Sequence, residues 1–205
     1  MAKRQNVLAK ILFDRGGNLH YPFDFDRTVF YDCQYNKQIF SVYRELGGIL
    51  DTYPIRFGNF DIITHKFFIE LDEENHFNRY RAITLKSDFY SNNFNFSTQR
   101  YLKYCDDFEN KCGKGGGFWF SNNSEKQFGT SSEPGNLNGS GSSRWKQRAF
   151  YDFLRDVYSY LQPKPVYRLS VYDKIGDMTI NAVLQKEKTE KYDAVYNLIA
   201  GRVGN

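Results

Sequence analysis

One helix constrains this chain more than any other segment. From Arg144 to Leu161 the apolar residues recur at three- and four-residue steps. At about 100° per residue from Trp145, Ala149, Phe150, Phe153, Leu154, Val157 and Leu161 fall on one broad face. Arg144, Arg148 and Arg155 fall together on the opposite side, bordered by Tyr151 and Tyr158. Pro163 and Pro165 forbid continuation. A helix with a face this broad has to bury it against a second layer, so the rest of the chain must supply one.

The second layer is predicted to be a sheet. Aromatics make up 18% of the 205 residues, 19 of them Phe and 16 Tyr, and these suit a pleated surface. Phe57 to Asp72 reads as two strands turning at His65-Lys66, followed by a helix from Glu74 to about Lys86. Val166 to Tyr172 and Met178 to Leu184 read as a hairpin around Asp173–Asp177. Short helices are expected over Lys3 to Phe13, stopped by Gly16-Gly17, and over Gln38 to Leu50, ended by Gly47-Gly48. Residues 113–143 hold eight of the 16 Gly, with seven Ser and four Asn. That composition gives little drive to fold, so the segment is expected to be a loop insertion. Within it, Phe118-Trp119-Phe120 is either an anchor to the core or an exposed stacking wedge. The fold expected is one α/β domain over residues 1–205, a central mixed sheet flanked by helices.

Other classes are excluded by what the residues lack. No run approaches the ~20 apolar residues of a membrane span, and the first residues carry no apolar run typical of a secretory leader. Three cysteines, at 33, 105 and 112, suit a reducing cytoplasm and lack the close pairing of a zinc site. Gly113-Lys-Gly-Gly-Gly lacks the Gly-Lys-Ser/Thr end of a phosphate loop, and no Gly-x-Ser-x-Gly elbow occurs. The net charge of +4 is mild, but the stretch from Arg144 to Arg168 carries six basic residues against Asp152 and Asp156. Clustered this way, the charge is either a phosphate-binding face or a solvated helix face.

The chemistry concentrates between Asp61 and Arg81. With a turn at His65-Lys66, residues whose numbers sum to 131 stand opposite each other, so Asp61 faces Glu70. Side chains alternate along a strand, so Glu70 and Asp72 share a face, while Phe67, Ile69 and Leu71 take the other. Three carboxylates within ~5 Å steps repel unless a cation lies between them. An all-oxygen donor set of this kind suits Mg²⁺ or Mn²⁺. His76 could position or deprotonate a water, and Arg79 and Arg81 could hold phosphate.

The pattern of an Asp-bearing strand, a short turn and an apolar strand with Glu-x-Asp-x-x-x-His, backed by a helix, resembles the PD-(D/E)XK nuclease superfamily. It is most similar to that superfamily's small Vsr-like endonuclease branch. The resemblance implies a restriction-endonuclease-like core in which Asp61 and Glu70 bind metal, Asp72 shares or orients it and His76 assists the attacking water. Here the usual lysine position is Asp72, as in that branch, and Glu73 stands where that branch has Gly. Gln147 and Tyr151 also fit the Gln-x-x-x-Tyr spacing of RecB-like members. The implied function is a Mg²⁺- or Mn²⁺-dependent endonuclease, acting on DNA first. Its nucleic-acid contacts would be Arg79, Arg81, Arg144, Gln147, Arg148, Tyr151 and Arg155. The alternative is an inactive nuclease-fold module that binds nucleic acid or protein through the Arg144/Arg148/Arg155 face. A cytoplasmic location and no membrane partner are expected, and a homodimer is left open.

Overall fold

In the computed structural model, residues 3–16, 23–92 and 94–203 are described. Eight α-helices and five short strands occur among them. The helices are α1 (Lys3–Phe13), α2 (Asn36–Glu45), α3 (Arg79–Leu85), α4 (Thr98–Phe108), α5 (Asn122–Phe128), α6 (Ser143–Leu161), α7 (Ile180–Gln185) and α8 (Tyr192–Val203). The strands are β1 (Ile62–Ile63), β2 (Phe68–Asp72), β3 (Val166–Ser170), β4 (Lys174–Ile175) and β5 (Met178–Thr179). They divide between two compact units woven from alternating stretches of chain. One comprises residues 1–25, 59–73 and 162–205, the other 26–58 and 74–161.

The first unit holds all the strands. The turn forms where the sequence places it: Thr64 N–H bonds the Phe67 carbonyl at 3.0 Å, and Thr64 Oγ1 accepts from the Phe67 amide at 3.0 Å. β1 then pairs antiparallel with β2, in the register Ile62↔Ile69 and Ile63↔Phe68. The other edge of β2 pairs in parallel with β3, from Phe68↔Val166 to Asp72↔Ser170. The sheet is therefore small and mixed, β1-β2-β3. All five residues of β2 are buried, so the face that Glu70 and Asp72 share is covered. α7 and α8 pack with α1 in this unit.

The expected hairpin over 166–184 is corrected. β3 is taken by β2, and only two-residue strands pair around the turn. Residues 180–185 are helical because Ile180, Val183 and Leu184 share a buried face and Thr179 caps the helix by accepting from the Ala182 amide at 3.2 Å. Helix α1 spans Lys3–Phe13 as predicted, and Gly16 beyond it takes φ +83°; Gly17 lies outside the described residues.

The second unit has helices and no strand among its described residues, and α6 runs through its core. Trp145, Ala149, Phe150, Phe153, Leu154 and Val157 are all fully buried. α3 and α5 pack on α6, and α4 on α3. The two helices expected to cover the sheet, α3 and α6, thus pack on each other within this unit. The aromatic residues follow them. Tyr43 meets Phe150 at 5.1 Å, Phe89 meets Phe153 at 5.5 Å and Trp119 meets Trp145 at 5.2 Å. The aromatic richness that pointed to sheet here fills helix–helix interfaces, where edge-to-face rings pack as well as they do on strands. α2 ends at Glu45, just before Gly47-Gly48, and a Cβ on Gly48 would fall 2.3 Å from the Tyr43 ring.

Residues 113–143 are also corrected. They carry α5, a fully buried Trp119, and buried Ser124, Ser142 and Ser143. Hydroxyls stand in for hydrophobic collapse: Ser124 Oγ and Ser143 Oγ are 2.8 Å apart, and Ser131 Oγ donates to Ser143 Oγ at 2.9 Å. Composition did not show this, because such bonds depend on pairing across 12 to 19 residues.

Burial pushes the thiol of Cys105 up to about 12 and that of Cys112 up to about 11, from an ordinary 9.0. Cys112 also donates to the Glu74 and Phe77 carbonyls. A disulfide-exchange reagent should therefore titrate one thiol, Cys33, in the folded protein and all three in denaturant. Because these two folded values are raised, their contribution to stability is complete below pH 9.0 and is lost as pH rises toward 11 and 12. Equal labelling of all three thiols in native buffer would contradict this.

Candidate functional site

The sheet unit brings the acids together by register. Continuing the β1–β2 pairing one step beyond Ile62↔Ile69 sets Asp61 opposite Glu70. The Asp61 amide donates to Glu70 Oε1 at 3.2 Å. Asp61 Oδ2 in turn accepts from the Leu71 amide at 2.8 Å, and Oδ1 accepts from Gln5 Nε2 at 2.6 Å. Each carboxylate is thus held by backbone or amide donors, which fix its orientation. Asp61 is half-buried and Glu70 buried.

Asp72 shares the face of Glu70 but has a different partner. Arg168 Nη1 donates to its Oδ1 at 2.7 Å, and both side chains are buried. Arg168 stands opposite Glu70 in the parallel register. The cation that like charges require at Asp72 is therefore supplied by the chain itself. Arg168 thereby offsets the charge of Asp72, and the carboxylate still offers an oxygen that could hold a metal ion. Asp61 and Glu70 keep the all-oxygen chemistry that suits Mg²⁺ or Mn²⁺. Nearby, Arg4 bonds Glu73 at 2.9 Å, and Lys164 lies 4.5 Å from the Phe68 ring centroid.

His76 belongs to the helical unit, in a 3₁₀ turn ahead of α3. Its Nδ1 lies 2.7 Å from Oδ2 of Asp152, a fully buried residue of α6. Arg155 Nη1 donates to the other Asp152 oxygen at 3.2 Å. Asn78 caps α3 by accepting from the Tyr80 and Arg81 amides.

The expected phosphate ligands sort into two kinds. Arg81 is corrected: it is buried, bonded to Asp156 at 2.9 Å and to Tyr90 Oη at 3.1 Å, and so serves the interior. Arg79 is half exposed, but Glu109 holds its Nε through both carboxylate oxygens at 2.9 Å. Arg144, Arg148, Tyr151 and Arg155 are partly exposed, while most of the rest of α6 is buried. Arg148 Nη1 reaches the Asn75 carbonyl at 3.4 Å, and burial lowers its pKa from the ordinary value. Arg144 donates to Gln147. Gln147 is fully buried and bonds Tyr151 Oη at 3.4 Å, and Gln127 Nε2 reaches the same hydroxyl at 3.0 Å. The basic stretch of sequence is divided in space, since Lys164 and Arg168 belong to the sheet unit and are engaged there.

Residues 41–186, more than two thirds of the 205, match the Family of unknown function (DUF7255). The chain belongs to this family. The DUF7255 region contains Asp61, Glu70, Asp72, His76, Asp152 and Arg168, and it leaves out Gln5 and α8. No curated protein and no solved structure matches the chain. Among the described residues, no helix is long and apolar enough to cross a membrane.

Three residues that shape these clusters escaped the sequence reading in their present roles: Gln5, Asp152 and Arg168. Asp152 lies at the rim of the α6 apolar face, which was its only sequence signal. Gln5 and Arg168 gave none, since they meet Asp61 and Asp72 across 56 and 96 residues.

Proposed function

We propose that this chain is a divalent-metal-dependent hydrolase of nucleic-acid phosphodiester bonds, DNA first, built on a restriction-endonuclease-like core. The observation that carries the reading is the pairing of Asp61 with Glu70 across an antiparallel hairpin, each carboxylate anchored by a backbone amide. The similarity to PD-(D/E)XK nucleases supports it through the same two positions, and the parallel neighbour of β2 makes the sheet mixed, as that core requires. Asp61 and Glu70 would hold the ion. When bound, it would polarise the phosphodiester and acidify a water. The Gln5 side chain and the Leu71 amide orient Asp61, and Arg168 fixes Asp72 as a neutralised support for the strand.

The test is cleavage of plasmid, single-stranded DNA and RNA with Mg²⁺ or Mn²⁺ against a chelator. Metal-dependent nicking is expected, abolished by Glu70→Gln or Asp61→Asn while the fold is kept. Mg²⁺ should also raise the melting temperature of the parent protein and not that of the variants.

The buried Asp72–Arg168 pair favours a second reading, a binding module without catalysis, because it supplies a resident cation at this face. Nucleic-acid binding with no cleavage and no thermal response to Mg²⁺ would decide for it.

A further inference from the structure

The segment Phe118-Trp119-Phe120 alternates out, in, out: Phe118 is 51% exposed, Trp119 fully buried and Phe120 42% exposed. Trp119 is fixed by its edge-to-face contact with Trp145 and by its Nε1 donating to the Ser132 carbonyl at 2.7 Å. Its own carbonyl accepts from Ser142 Oγ at 2.6 Å and from the Arg144 amide at 3.2 Å. The two outward rings are therefore held at the start of α6, where the arginine row begins.

A second line of contacts joins the same surface. The Phe118 ring lies directly on Gly113, where a Cβ would fall 2.8 Å from its Cγ, so a larger residue there would displace the ring. The Gly113 amide donates to Asn75 Oδ1 at 2.7 Å, and the carbonyl of that Asn75 accepts from Arg148 at 3.4 Å. Lys111 and Lys114 are exposed on either side of Gly113. Two exposed aromatic rings thus flank Trp119, whose carbonyl meets the first turn of α6, and contacts run from Phe118 through Gly113 and Asn75 to the partly exposed Arg148.

We infer that this face binds single-stranded nucleic acid, with unpaired bases stacked on Phe118 and Phe120 and the adjoining phosphates at Arg144 and Arg148. The inference rests on the reading of nucleic acid as substrate and narrows it to unpaired strands. Base faces are covered within a duplex and open in a single strand, so exposed rings beside cations discriminate between the two. The positive charge selects a polyanion over an apolar protein surface.

The experiment is fluorescence anisotropy of labelled oligo-dT and of a duplex of equal length, in chelator and over a salt series. Single strand is expected to bind at least tenfold more tightly than duplex. Phe118→Ala with Phe120→Ala should lower single-strand affinity by roughly tenfold or more, since both stacking platforms are lost. The slope of affinity against salt should stay unchanged, because no cation is lost. Phe118→Trp should restore binding, and unchanged thermal melting of the alanine variant confirms that its fold is kept. Equal affinity for duplex and single strand, or an alanine variant that binds as before, overturns the inference. So does failure of any oligonucleotide to bind at low salt, which would assign the face to a protein partner. The two readings fail separately. Metal-dependent cleavage of duplex DNA untouched by the Phe substitutions sinks this inference alone, and Phe-dependent strand binding without any cleavage sinks the hydrolase alone.

Discussion

Replacing Asp156 with alanine is expected to destabilise the helical unit by about 3–5 kcal/mol, the range for breaking one half of a buried ion pair. Asp156 is fully buried, Arg81 is 1% exposed, and the guanidinium meets the carboxylate at 2.9 Å. Tyr90 Oη donates to the same carboxylate oxygen at 2.5 Å, and Arg81 also donates to Thr84 Oγ1. Without Asp156 the guanidinium stays out of water and loses this carboxylate. The cost comes from that stranded charge more than from the lost attraction, so the double change Asp156→Leu with Arg81→Met should recover much of the loss. Urea unfolding followed by near-ultraviolet circular dichroism reads both, with each transition fitted separately because the chain forms two units. A single variant within about 1 kcal/mol of the parent would show that water reaches the pair.

Replacing Trp119 with alanine is expected to cost a further ~3–5 kcal/mol, as for other fully buried large side chains. The substitution removes the ring that meets Trp145 and the donor to Ser132 together. Deleting residues 121–140 should be worse, because it takes away α5 and leaves Tyr43 Oη, which donates to the Gln127 carbonyl at 2.6 Å, without that acceptor. Limited proteolysis supplies an independent check. Cuts should fall within 133–140, where all but Leu137 are exposed, and not within α5, where Ser124, Gln127 and Phe128 are buried. A deletion variant that melts like the parent would return the segment to a dispensable loop.

Local patterns along the chain carried a good deal. The three- to four-residue spacing located α6, and the turn at His65-Lys66 set a register that Ile62↔Ile69 obeys. With it came Asp61 opposite Glu70, and Gln147 with Tyr151 on one helix face. These features depend on residues a few positions apart, so periodicity and turn chemistry report them directly. What only the tertiary structure decided depends on partners far along the chain. β3 lies beside β2 in parallel and not in a hairpin with the residues after it. Arg168 reaches Asp72 across 96 residues and Asp156 reaches Arg81 across 75, which places an expected metal ligand and an expected phosphate contact in buried ion pairs. The serines of 113–143 order that segment through hydroxyl bonds that leave no periodic trace. A charge or hydroxyl on the sequence looks the same whether it will face water or be buried against a partner, and the choice is made by which distant element packs over it.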